Sequence, residues 1–128
     1  MQLDIVRSIE AKDTPALAPD DRAIDLVHLA RITLGDRGLE REVLQLFDRQ
    51  STLLIARMRS AAPLGIATLA HTLNGSARGI GAWRVARAAE ALELAVRAGP
   101  DAVAQALDLL AAAADEARAV IAELLLPN

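Results

Sequence analysis

The run Pro63-Leu64-Gly65-Ile66-Ala67-Thr68-Leu69-Ala70-His71-Thr72-Leu73-Asn74-Gly75-Ser76-Ala77-Arg78-Gly79-Ile80 decides the fold class of this chain. Ile66, Ala70, Leu73, Ala77 and Ile80 recur at the spacing of one face of an α-helix. Pro63 suits the first turn of that helix, and Gly81 loosens its end. The same run nevertheless carries Gly75 and Gly79, and a glycine inside a helix costs about 1 kcal/mol relative to alanine. The small residues must therefore serve something other than helix stability.

A helical wheel shows what that is. His71 falls about 130° from the centre of the apolar stripe and faces solvent. Gly75 lies one turn further along the same face. Leu64, Thr68 and Arg78 share this side, and Asn74 flanks it. A lone histidine on a helix surface usually does nothing. An exposed glycine beside it has a cost and no packing role, and its benefit is close approach of another molecule to the imidazole. An imidazole that accepts and releases a group needs access, a free ring nitrogen and nearby hydrogen-bond donors. Thr68, Asn74 and Arg78 are the candidate donors, and exposed Leu64 suits a small apolar docking patch.

Working outward, other helices flank this one. Ala23 to Leu34 reads as a helix with Ile24, Val27, Ala30/Arg31 and Leu34 inward, N-capped by Asp20 or Asp21. After the turn Gly35-Asp36-Arg37-Gly38, a second helix runs from Leu39 to Ser60 and buries Leu39, Val43, Leu46, Phe47, Leu53, Leu54 and Met58. Ala82 to Ala98 forms another, burying Ala82, Val85, Ala89, Leu92 and Val96, and stops at Gly99-Pro100. The last, Asp101 to Leu126, repeats Val103, Leu107, Leu110, Ala114, Ala117, Ile121 and Leu124, a seam for packing at a shallow angle. Long helices with short connections favour antiparallel neighbours. The expected architecture is all-α: an up-down antiparallel four-helix bundle with an additional short N-terminal capping helix. Residues 1–22 read as an N-terminal arm, docked on the bundle or not, and 23–126 as the bundle.

Composition agrees and removes several function classes. The chain has 128 residues, 28 of them alanine, and aromatics make up 2%, so the core is aliphatic and helix-favouring. A net charge of -3 offers no footprint for nucleic acid or an anionic membrane. With no cysteine there is no disulfide, thiolate chemistry or cysteine-ligated metal, and two distant histidines make no metal pattern. There is no basic leader with an apolar run and no long uncharged apolar span, so the expected location is cytoplasmic. No glycine-rich phosphate loop or kinase-like motif marks an ATP site. His28 reads as a boundary or surface residue, and Trp83 as partly buried at a helix start or as a contact at a docking surface. Asp108, Asp115 and Glu116 read as a solvated face, and Ser51 and Ser76 take no nucleophilic role.

Ala70-His71-Thr72-Leu73-Asn74-Gly75-Ser76-Ala77, then Gly81-Ala82 and Glu90-Ala91-Leu92-Glu93, resembles the histidine phosphotransfer (HPt) family, with its AHxLKGSA-type motif followed by GA and a helix ending in LE. Leu44-Gln45-Leu46-Phe47-Asp48 followed by Leu53 resembles that family's second-helix pattern, and the likeness spans Ile24 to Ala122. The resemblance implies a four-helix bundle whose exposed histidine carries a phosphoryl group between receiver-domain aspartates. By position that residue is His71, with Thr68, Asn74, Gly75, Arg78 and Leu64 around the phosphoryl group and the partner. It implies a monomeric phosphocarrier without a cofactor of its own, with Mg²⁺ supplied by the receiver partner. The implied partners are response-regulator receiver domains and/or a hybrid histidine kinase, with neither nucleic acid nor membrane.

One departure bears on the chemistry. The family's lysine three residues after the histidine is here Asn74, which can donate a hydrogen bond but brings no charge to a phosphoryl dianion. Arg78 lies nearly in line with His71, but reaching it means bending back roughly 10 Å of rise, and that contact is not expected. Asn74 therefore keeps open an alternative, a degenerate HPt-like module that docks on receivers or kinases without phosphotransfer. A helical oligomerisation domain using Leu64 and the arm is a third.

Overall fold

The computed structural model describes residues 22–127, and all regular elements among them are helices. They are α1 (Leu26–Ile32), α2 (Arg37–Met58), α3 (Pro63–Ile80), α4 (Trp83–Ala95) and α5 (Pro100–Leu124). The four long helices form the up-down bundle, and short α1 closes one end of it. The N-terminal arm, and with it the expected caps Asp20 and Asp21, lies outside the described residues.

Local chemistry sets the element boundaries. The Asp25 carboxylate accepts the His28 amide at 3.0 Å and starts α1. Asp36 does the same for α2 through the Leu39 amide, also at 3.0 Å. Pro63 and Pro100 occupy first turns, where the missing amide hydrogen costs nothing. Gly81, at φ 85, turns the chain out of α3 in a left-handed conformation, and the Ala82 amide donates back to the Ala77 carbonyl at 2.8 Å.

The core agrees with the expected stripe on α3: Ile66, Ala70, Leu73, Ala77 and Ile80 are all buried. Ala82, Val85, Ala86, Ala89 and Leu92 face them from the start of α4 and along it, and Leu107, Leu110, Ala114, Ala117 and Ile121 from α5. The alanines at contact positions let the helix backbones approach closely, and Phe47 is the one aromatic ring in this core.

Several details differ from the sequence reading. α2 runs from Arg37 to Met58 and α5 from Pro100 to Leu124. Ala30, Arg31 and Leu124 are exposed, and Val96 is only partly buried. The first helix begins at Leu26 and ends at Ile32, because Asp25 rather than an earlier aspartate captures the first free amide. Ile24 is still buried, but from the non-helical stretch before α1, while Val27 is 63% and Leu34 93% exposed. Leu34 has a left-handed backbone, φ 53, so the expected stripe does not continue along one helix. On α2 the buried line is Leu44, Phe47, Ser51, Leu54 and Met58, whereas Leu39, Leu46 and Leu53 are exposed shoulders of the same helix. Leu46 and Phe47 are adjacent, 100° apart on a helix, and the larger ring takes the inward place. Ser51 tolerates burial because its hydroxyl donates to the Asp48 carbonyl at 3.1 Å. Finally, α4 ends at Ala95 rather than Ala98, and the remaining residues up to Gly99 form a turn.

Candidate functional site

α3 and α4 pack along their length, and the outer rim of the groove between them carries the candidate site. His71 projects from the middle of α3 with its side chain 79% exposed. Its Nδ1 lies 3.0 Å from Oε1 of Glu93 on α4. An ionised carboxylate can only accept, so Nδ1 carries the hydrogen of this bond. In the neutral ring, the lone pair then resides on Nε2. Carboxylate and groove wall fix the imidazole's orientation and tautomer while leaving it open to solvent.

One turn along, the space beside the imidazole is bare. A Cβ built on Gly75 meets nothing within 4 Å, and the same holds for Gly79 a further turn on. Leu64, 80% exposed, stands on the N-terminal side of His71. It lines the lower part of the groove with Ala67, Leu94 and Arg97. Thr68 is exposed, but its hydroxyl donates to the Leu64 carbonyl at 3.2 Å, within its own helix.

Asn74 and Arg78 act on each other. Arg78 Nε donates to Asn74 Oδ1 at 2.8 Å, and Nη2 reaches Glu90 Oε1 at 3.5 Å. All six sequence candidates (Leu64, Thr68, His71, Asn74, Gly75 and Arg78) thus lie on one side of α3, with only His71, Asn74 and Arg78 in polar contacts of consequence. Glu93 closes the Glu90-Ala91-Leu92-Glu93 motif, and the sequence alone gives it no role. Finding its role requires the register between α3 and α4, which periodicity along either helix does not supply.

Residues 42–120 match the family model of the Hpt domain. The chain belongs to the Hpt domain family. No curated protein and no solved structure matches it. The match covers most of α2, all of α3 and α4 and most of α5, so His71 and Glu93 both fall inside the part of the chain that defines this Hpt domain, and its general role is in phosphorelay.

Other candidates in the Hpt domain have structural duties. His28 is a boundary residue, as expected: its Nε2 lies 3.1 Å from the Gly79 carbonyl, and its ring meets the Trp83 indole edge-on at 5.0 Å. Trp83 is partly buried, and Nε1 donates to Asp25 Oδ2 at 2.9 Å. This cluster ties α1 to the α3–α4 turn. The indole hydrogen bond, and then the His28 amide, hold the Asp25 carboxyl below its ordinary 3.8. Among the described residues, no group of three or more His, Asp or Glu side chains is placed to hold a metal ion, and no helix is long and apolar enough to cross a membrane.

Proposed function

We propose that this Hpt domain is a phosphocarrier whose acceptor is Nε2 of His71. The observation that carries the proposal is the pairing of His71 Nδ1 with Glu93 Oε1 on an otherwise exposed ring. In the forward step the Nε2 lone pair attacks the phosphorus of an aspartyl phosphate on a receiver domain. An N–P bond forms, the acyl P–O bond breaks, and the aspartate leaves as a carboxylate. Nδ1 keeps its hydrogen, and Glu93 stabilises the positive charge that the ring acquires. The reverse sequence passes the group to another receiver aspartate. Protons balance without a base, and the Mg²⁺ that receiver chemistry uses belongs to the partner.

Gly75 supports this reading because a receiver loop must come within bonding distance of Nε2, and the open space over that turn admits it. Leu64 and Thr68 lie on the approach. A second reading, a docking module that carries no phosphoryl group, rests on Asn74, a residue without charge beside the acceptor. Incubation with phosphorylated receiver domains separates the two. The carrier takes up acid-labile, alkali-stable label, and His71→Gln abolishes it; binding without label establishes the docking module.

A further inference from the structure

The side chain that meets the His71 ring is a carboxylate, not a cation. Glu93 touches the imidazole, and Glu90 stands one turn before it on α4. A phosphoryl dianion placed on Nε2 therefore arrives at a rim that already carries two carboxylates. Arg78 is a cation whose side chain folds back by one turn on α3, and the reason is its seat. From residue 78 to residue 71 the helix rises about 10.5 Å, too far for an arginine that simply points outward. The bond from Nε to Asn74 Oδ1, at 2.8 Å, folds the side chain back by one turn. Measured from Asn74, only about 4.5 Å of rise separates the guanidinium's level from His71. Glu90 holds the other end of the guanidinium at 3.5 Å, and the two contacts use two of its five donors.

We propose that Asn74 is a positioning residue whose carbonyl oxygen and the Glu90 carboxylate together seat Arg78, so that Arg78 supplies the positive charge for a phosphoryl group on His71. The inference rests on the phosphocarrier reading and deepens it: the charge missing at residue 74 comes from the next turn, delivered by the residue that stands there. Asn74 contributes by what it accepts.

The test uses the full chain and phosphoramidate as a small phosphoryl donor, followed by a ³¹P titration of the phosphohistidine against pH. A nearby cation favours the dianion and lowers the pH at which it forms. Arg78→Gln is expected to raise that midpoint by about half to one pH unit, a roughly three- to tenfold change in the proton equilibrium. Arg78→Lys should keep most of the effect, and Asn74→Ala should raise the midpoint in the same direction by less. Glu90, Glu93 and Arg97 line the groove beside this site, so Arg97→Gln is run alongside these variants. A midpoint that ignores Arg78→Gln, or that moves with Arg97→Gln instead, overturns the proposal while leaving the phosphocarrier intact. Wild-type protein that takes no phosphoryl group on His71 overturns both.

Discussion

His71 Nδ1 and Glu93 Oε1 stand 3.0 Å apart across the groove between α3 and α4. One contact thus sets the tautomer of the ring, its rotation, and which nitrogen is left open to solvent. Removing the carboxylate frees all three. Glu93→Ala is expected to slow phosphoryl acceptance by about tenfold or more. The bundle should keep its helical circular dichroism, since the contact lies at the rim rather than in the core. An unchanged transfer rate would mean that the ring needs no partner.

Gly75 is open on its outer side, so a larger residue there fits the isolated domain. Gly75→Leu should raise stability to unfolding by about 0.5–1 kcal/mol through helix propensity. It should at the same time weaken receiver binding measured by calorimetry. Tight binding by this variant would remove close approach as the reason for the glycine.

Gly79 and Gly81 make opposite predictions although they are neighbours. Gly79 is helical and unhindered, and Gly79→Ala should stabilise by roughly the same 0.5–1 kcal/mol. Gly81 has φ +85, and a Cβ there would stand 3.0 Å from Asp25 Cβ and 3.1 Å from the Asp25 carbonyl oxygen. Left-handed strain alone costs about 1–2 kcal/mol. Gly81→Ala should therefore destabilise by about 2 kcal/mol or more once Asp25 must also move. Equal melting temperatures for the two variants would contradict this account of the α3–α4 turn.

Asp25 links stability to pH with a definite sign. Its carboxyl is held below 3.8 in the folded chain, so the unfolded chain binds the proton more readily in acid. The stabilisation is present above that value and is lost as pH falls through the lower, folded value. Denaturant unfolding should show Asp25→Asn less stable than wild type at about pH 7, with the gap closing as pH falls below 3.8. A gap that stays constant would place the effect in packing rather than charge.

Much of this was legible along the chain, for reasons that particular residues make plain. The α3 stripe reads cleanly because Ile66, Ala70, Leu73, Ala77 and Ile80 have no apolar competitor on the opposite face except Leu64, and the wheel that buries them turns His71 outward. On α2, Leu39, Leu46 and Leu53 recur every seven residues and mimic a core seam, while the true line includes Ser51, whose bond to its own helix hides its fitness for burial. For α1, several aspartates precede the apolar residues. Only the fold, through Trp83 and the Gly81 carbonyl that accepts the Asp25 amide at 2.9 Å, selects Asp25. Contacts between helices were the hidden part: Glu93 with His71 and Glu90 with Arg78 depend on helix register, which no single helix encodes.

The most direct measurement is the site of the phosphoryl group on the ring. Protein labelled with ¹⁵N in its histidines and phosphorylated by a receiver domain would be read by nitrogen–phosphorus coupling in NMR. The account predicts coupling at Nε2 of His71, with Nδ1 still bearing its hydrogen toward Glu93. Phosphorus on Nδ1, or on His28, would contradict it.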